Sequence, residues 1–233
     1  MAEMFRSPMI DSSDGTSVPR DMSYRCMTTC QTQRQFSGIV LWHALIDEMR
    51  QRYEIDPARV YAAGMSIGGS LVYQLACSLS DQLAAVAVVA GAMTVENCNP
   101  TRPVSVLHIH GTADQRVPLK GGRGRRTALQ NSWPPVEQAI DRWCEINRCG
   151  KPGQVIRLVA GLTGRRYTGV ADVELWLVQG GRHNWPGGAA PPTKRRWWSR
   201  RHPPALKGFS ASEKVWDFFA AHERRREEPR SQI

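Results

Sequence analysis

The chain has 233 residues and a mass of 26.1 kDa, a size that single α/β domains routinely reach. Hydrophobic residues make up 41% of it, enough for a core, while the mean hydropathy of −0.42 speaks against an integral membrane protein, and no run approaches the roughly 18 apolar residues of a membrane span. The net charge of +10 is scattered, mostly over arginines at 123–126, 194–201 and 223–226; no helix-turn-helix, zinc-finger or RNP pattern accompanies it, so no specific nucleic-acid partner is expected.

Residues 1–36 are polar, turn-rich and only weakly periodic. No apolar segment follows the first charges, so this stretch does not read as a secretory signal. From about Ser37 the pattern becomes regular. "GIVLWHALIDEMRQRY" sets Leu41, Ala44, Leu45 and Met49 at helical spacing, and Asp56 is expected to cap or turn ahead of Pro57. "RVYAA" then reads as a short buried strand that enters "GMSIGG". "IGGSLVYQLACSLS" places Ile67, Leu71, Leu75 and Leu79 on one stripe of an amphipathic helix, with Cys77 expected as a buried thiol.

"LAAVAVVAG" and "VSVLHIHG" are continuous apolar strands of the kind buried on both faces of a parallel sheet. After Pro134 and Pro135, "VEQAIDRWCEIN" predicts a helix with Val136, Ile140, Trp143 and Ile146 inward. "VELWLVQGG" is a further strand, and "SASEKVWDFFAAH" a last helix capped by Ser210 or Ser212. Strands alternating with helices predict a mostly parallel sheet flanked by helices, with polar chemistry gathered at the carboxyl ends of the strands. Six cysteines permit disulfides, but spacing does not give their pairing, and neither "CMTTC" nor "CEINRC" has zinc-site spacing.

Three strand ends carry groups that fit one chemistry: Ser66 after "RVYAA", Asp114 after "VLHIHGTA", and His183 after "LWLVQGGR". A serine hydroxyl is a poor nucleophile until an imidazole takes its proton, and the imidazole needs a carboxylate on its other nitrogen. The order Ser, Asp, His is that of the α/β-hydrolase triad. Gly64 and Gly68 would relieve crowding around a serine held in a strained turn, and Gly69 would let the next helix pack closely on the sheet. The other histidines read as structural. His110 is expected to hydrogen-bond near the Asp114 loop, His43 lies in a helix, and His202 and His222 fall in arginine-rich surface segments. Asp172, near the start of a strand, is at the wrong end for chemistry.

"DPARVYAAGMSIGGSLVYQLAC", "RPVSVLHIHGTADQRVP" and "GGRHNWPGG" resemble the poly(3-hydroxybutyrate) depolymerase-like esterases, a group that includes feruloyl and acetylxylan esterases. The likeness runs from about Leu41 to Gly188 and returns in "FSASEKVWDFFAAH". It implies an α/β-hydrolase fold, a Ser66–Asp114–His183 triad, and hydrolysis of carboxylic esters, polymeric ones included, with no metal or organic cofactor. Ile67 N–H would be one oxyanion donor, and Met65 and Trp185 the substrate contacts beside the serine and the histidine. The resemblance also implies an extracellular setting; in the absence of a signal the alternative is cytoplasmic.

Relatives of this kind take a second oxyanion donor from a His-Gly segment ahead of the nucleophile, and none precedes Ser66. The first half of the sheet therefore reads as truncated or divergent. Losing one such donor costs about 100- to 1000-fold in turnover. The expected organisation is a divergent segment 1–36, a hydrolase domain 37–225 and a charged tail 226–233. Three further readings stay open: a catalytically impaired hydrolase-like protein, a module that binds anionic polymers through Lys194–Arg201, and a peptidase or thioesterase that uses the same triad on another bond. Trp197 and Trp198 in that basic insertion would be a lip over the site or simply part of a solvated loop. Oligomeric state is not legible.

Overall fold

The computed structural model describes residues 27–125, 132–150, 153–187 and 209–224. The basic insertion with Trp197, Trp198 and His202, Arg126, and the tail 226–233 lie outside the described residues. The chain divides into compact units at 1–38 and 39–233. Among the described residues the first holds only the opening turns of helix α1 (Met27–Arg52). The segment expected to be irregular to residue 36 is thus helical from Met27.

In the second unit β1 (Tyr61–Met65), β2 (Ala85–Val89) and β3 (Ser105–Gly111) run parallel, separated by α2 (Ile67–Ser78) between β1 and β2. A two-residue ladder of β4 (Gly122–Arg123) and β5 (Ser132–Trp133) precedes α3 (Val136–Ile146). Strands β6 (Gln154–Val159), β7 (Leu162–Tyr167) and β8 (Val173–Val178) follow, then α4 (Ala211–Ala220). The six-stranded sheet has the order β1-β2-β3-β8-β7-β6, so the last strand to form parallel pairs, β8, sits beside β3. The remaining pairs, β8–β7 and β7–β6, are antiparallel.

β2 and β3 carry the apolar runs because both of their faces are covered, whereas β1, expected as a buried strand, is only partly buried with Ala63 exposed, since it is the edge strand of the sheet among the described residues. All five residues of β2 and all seven of β3 are buried. One face packs on α2 and α3 through Val72, Tyr73, Leu75, Ile140 and Trp143. The other packs on α4 through Val215, Phe218 and Phe219. Helix α3 buries Val136, Ala139, Ile140, Trp143 and Cys144, so Val136, Ile140 and Trp143 face inward as the spacing requires. The α4 N-cap is Ser210, whose hydroxyl accepts from Glu213 N–H at 3.3 Å. Asp56 closes a turn by accepting from Ala58 N–H at 2.9 Å.

Several expectations change. Cys77 is no buried thiol: it is only partly buried and forms a disulfide with Cys98, 21 residues on, tying the end of α2 to the loop after β2. On α1 the stripe of Leu41, Leu45 and Met49 is exposed at 67%, 44% and 40%, while Ile39 and Ile46 pack on the core. The periodicity was helical, but the face that meets the sheet is one position away. The Leu45–Met49 side borders an apolar groove with Ile55, Tyr61, Gly64, Gly68 and Leu71, along the edge of β1 that carries no further strand among the described residues. His222 is not a surface residue. Its ring packs on Phe218 at 4.3 Å, its Nδ1 bonds Phe218 O at 2.6 Å, and its Nε2 faces Asp172 at 3.7 Å.

The β6–β7 hairpin was not foreseen. Its connection is Ala160–Gly161, with Gly161 at φ 82°, a conformation only glycine adopts without cost.

Candidate active site

Parallel pairing of β1, β2, β3 and β8 brings the carboxyl ends of those strands to one edge of the sheet, and three loops leave there. Ser66 follows β1 directly and is the residue before α2. Its φ is 58°, a left-handed value that is strained for a residue with a side chain. The turn is held by Ser66 N–H donating to Val89 O at 2.9 Å and by Ser70 N–H donating to Ser66 O at 3.1 Å. Gly64 is required here: a Cβ on it would lie 2.3 Å from Gly68 O. Gly68 itself is not crowded, since a Cβ there meets nothing within 4 Å, which corrects the expectation for that position. At Gly69 a Cβ would come 3.0 Å from Val88 Cγ1, so the close packing of α2 on the sheet rests on that glycine.

Asp114 lies three residues after β3, and His183 five residues after β8. The two loops are fastened together. Thr112 N–H donates to Val178 O at 3.0 Å, Ala113 N–H to Gly181 O at 2.9 Å, and Gly180 N–H to Thr112 Oγ1 at 2.9 Å. Through them the imidazole of His183 stands between the other two groups. Its Nδ1 is 2.8 Å from Asp114 Oδ2 and its Nε2 is 2.9 Å from Ser66 Oγ. Both are ordinary hydrogen-bond lengths.

The carboxylate is itself fixed. Asp114 Oδ1 accepts from Arg116 N–H at 2.8 Å and Val117 N–H at 3.0 Å, leaving Oδ2 for the imidazole. Burial alone would raise the pKa of Asp114, but the hydrogen bonds from His183, Val117 and Arg116 outweigh it and hold the group below the usual carboxylate range. It is therefore ionised at neutral pH and able to stabilise a positive imidazole. Chemically, the arrangement can move a proton from Ser66 Oγ to His183 Nε2 while Asp114 fixes the tautomer.

Ile67, the first residue of α2, is 65% exposed, and its N–H belongs to the free donors at the helix start. Met65 and Trp185 are both partly buried against the α4 side of the core, and the Trp185 indole N–H donates to Ser212 Oγ at 3.1 Å. Among the described residues no group of three or more His, Cys, Asp or Glu could hold a metal ion, and no helix is long and apolar enough to cross a membrane.

His110 hydrogen-bonds beside the Asp114 loop, as the sequence suggested; what sequence reasoning missed is the chain of groups behind its ring. Its Nε2 is 2.9 Å from Val117 O and its Nδ1 2.9 Å from His108 Nε2, and His108 Nδ1 is 2.6 Å from Tyr73 Oη. The only signal in the sequence was the alternation His108, His110 in one strand, which puts both rings on the same face.

The chain is similar to known esterases. Residues 30–142 match the phospholipase/carboxylesterase family of α/β-hydrolases. Feruloyl esterase B of Piromyces equi is 32% identical over 116 residues, 47% of this chain and 22% of that protein. Feruloyl esterase D of Neurospora crassa is 30% identical over 170 residues, 71% of this chain and 49% of the other. A bifunctional acetylxylan esterase/xylanase of Neocallimastix patriciarum is 37% identical over 70 residues, 30% of this chain and 10% of its own length. The chain thus spans about half, or less, of the length of these curated relatives. The sheet order, the flanking helices and these matches agree on an α/β-hydrolase fold, and the chain is similar to feruloyl and acetylxylan esterases.

Proposed function

We propose that this protein hydrolyses carboxylic esters through an acyl-enzyme on Ser66. One observation carries the reading: His183 hydrogen-bonds Ser66 and Asp114 at once, with the serine in a strained turn at the start of a helix. Ser66 Oγ attacks the ester carbonyl while His183 Nε2 takes its proton, and Asp114 steadies the imidazolium. The carbonyl oxygen, negative in the tetrahedral intermediate, is met by Ile67 N–H at the positive end of α2. His183 returns the proton to the leaving alcohol. A water deprotonated by the same nitrogen then releases the acid.

The similarity to feruloyl and acetylxylan esterases supports feruloyl or acetyl esters of a polysaccharide as substrates, and the poly(3-hydroxybutyrate) depolymerase-like motifs extend the candidates to a polyester. Met65 and Trp185, next to the serine and the histidine, are proposed to touch the substrate. The Cys77–Cys98 disulfide favours an oxidising, extracytoplasmic setting. Wild-type protein is expected to hydrolyse p-nitrophenyl butyrate and Ser66→Ala to lose that turnover. Equal rates for the two would remove the assignment.

A second reading has its own observation. Ile67 N–H is the one oxyanion donor we assign, and among the described residues ahead of Ser66 there is no His-Gly. A protein short of a donor would bind esters yet turn them over about 100- to 1000-fold more slowly than a complete site. A burst of acylation followed by slow steady-state turnover would point to it.

A further inference from the structure

We propose that His110 is a positioning residue for the Asp114–His183 pair, acting through a one-way hydrogen-bond chain that starts at Tyr73. The inference rests on the esterase reading above. Val117 O can only accept, so His110 Nε2, 2.9 Å away, must carry a hydrogen. A neutral His110 then offers only a lone pair at Nδ1, and His108 Nε2 at 2.9 Å must donate to it. That leaves His108 Nδ1 as the acceptor for the Tyr73 hydroxyl at 2.6 Å. Every donor has one acceptor, and the direction is unique: Tyr73 to His108 to His110 to Val117.

Neutral rings are what the site enforces. His108 is fully buried with no carboxylate beside it, and His110 is 1% exposed. Burial lowers the basicity of His108 far below the usual imidazole value, helped by His110; for His110 burial outweighs the raising effects of Val117 O and Asp114. The Tyr73 hydroxyl, fully buried, is pushed up and stays protonated. The three rings are also stacked, Tyr73 on His108 at 5.9 Å and His108 on His110 at 5.2 Å.

The chain ends on the turn that holds the carboxylate. Val117, whose carbonyl His110 grips, donates its own N–H to Asp114 Oδ1 at 3.0 Å. The same His110 Nε2 lies 3.6 Å from Asp114 Oδ2, the oxygen that meets His183. A hydrogen there presents its positive end to Oδ2 without competing as a full hydrogen bond. Both ends of the network return to one helix. Ser66 stands at the start of α2 and Tyr73 seven residues on, about 10 Å along the axis. The circuit Ser66–His183–Asp114–Val117–His110–His108–Tyr73 thus closes on α2 and fixes the serine and the carboxylate relative to each other.

The test compares His110→Leu, which removes the Nε2 donor, with His110→Gln, whose amide nitrogen reaches a similar place and can donate to Val117 O. On p-nitrophenyl butyrate, His110→Leu should lose about a hundredfold in kcat with KM unchanged, the scale of a misplaced catalytic group. His110→Gln should recover most of the loss. Equal kcat for His110→Leu and wild type, or for His110→Leu and His110→Gln, would overturn the proposal. Ring ¹⁵N NMR of the wild-type protein supplies a readout that needs neither activity nor the folding of a variant. His108 and His110 should both be neutral and protonated at Nε2, and a charged ring or an Nδ1–H tautomer at either would overturn it. In His110→Gln the His183 Nδ1–H resonance should keep its wild-type position. A wild-type protein with no turnover but the expected tautomers would count against the esterase reading and leave the chain itself standing.

Discussion

Replacing Asp114 by Asn tests the electrostatic half of the site without removing its shape. The carboxylate accepts two backbone N–H groups on Oδ1, from Arg116 at 2.8 Å and Val117 at 3.0 Å, and the His183 N–H on Oδ2 at 2.8 Å. In Asp114→Asn the amide oxygen keeps the two backbone bonds, so Nδ2 is turned to His183 as a donor. His183 Nδ1 must then accept, and its hydrogen moves to Nε2, where it points at Ser66 Oγ in place of a lone pair. Restoring the working tautomer means flipping the amide and abandoning two buried backbone donors, at roughly 1–3 kcal/mol each. The penalty of roughly 2–6 kcal/mol corresponds to a fall in kcat between about 30-fold and about 26,000-fold. The same change in a serine protease triad, about 10⁴-fold, lies inside that range. Steady-state hydrolysis of p-nitrophenyl butyrate measures it, with urea unfolding as the control for fold. A well-folded Asp114→Asn enzyme with wild-type kcat would refute the reasoning.

Three other outcomes follow from particular contacts. Gly64→Ala should destabilise the protein by at least about 1–3 kcal/mol and abolish activity, because its Cβ meets backbone 2.3 Å away, whereas Gly68→Ala, open on all sides in a helix, should be neutral or stabilising by up to about 1 kcal/mol; thermal melts of the pair decide. Cys77→Ser with Cys98→Ser opens a loop with a separation of 21 residues and should cost about 3 kcal/mol, read in urea unfolding; an unchanged midpoint would contradict it. Acid should weaken the fold through the buried histidines. His108 and His110 titrate lower when folded than when unfolded, so the unfolded chain binds more protons below about pH 6.5, and stability falls from there toward their folded values. Asp114, held low, adds stability above about pH 3.9 that is lost as pH drops through its folded value. Urea midpoints that do not move between pH 7.5 and pH 5 would contradict the histidine part.

Strands β2, β3 and β8 were legible because burial on both faces leaves an almost unbroken apolar run and the following polar residues mark the strand end, while β1, only partly buried, was legible from its short apolar run into the glycine-flanked Ser66. Helix α3 was legible for a similar reason: Val136, Ile140 and Trp143 repeat at helical spacing and all go inward. On α1 the same rule gave the helix but the wrong face, since Leu41 and Leu45 are exposed and Ile39 and Ile46 are packed. Periodicity fixes an angle of repeat; which neighbour the stripe meets depends on tertiary packing. The β6–β7 hairpin escaped because arginines interrupt "VIRLV" and "LTGRRY", and β7 buries only Leu162, Gly164 and Tyr167, too few to leave an apolar run. The Cys77–Cys98 bond escaped because pairing is a matter of space and not of spacing. The histidine chain behind Asp114 was invisible for the same reason: Tyr73 is 35 residues from His108 in sequence.

Mass spectrometry after treatment with a fluorophosphonate asks most directly whether Ser66 is an activated nucleophile. The account predicts one adduct on the peptide carrying Ser66 in the wild-type protein, and its loss in His183→Ala although the serine remains. Wild-type protein left unmodified at Ser66, or equal modification in His183→Ala, would contradict it.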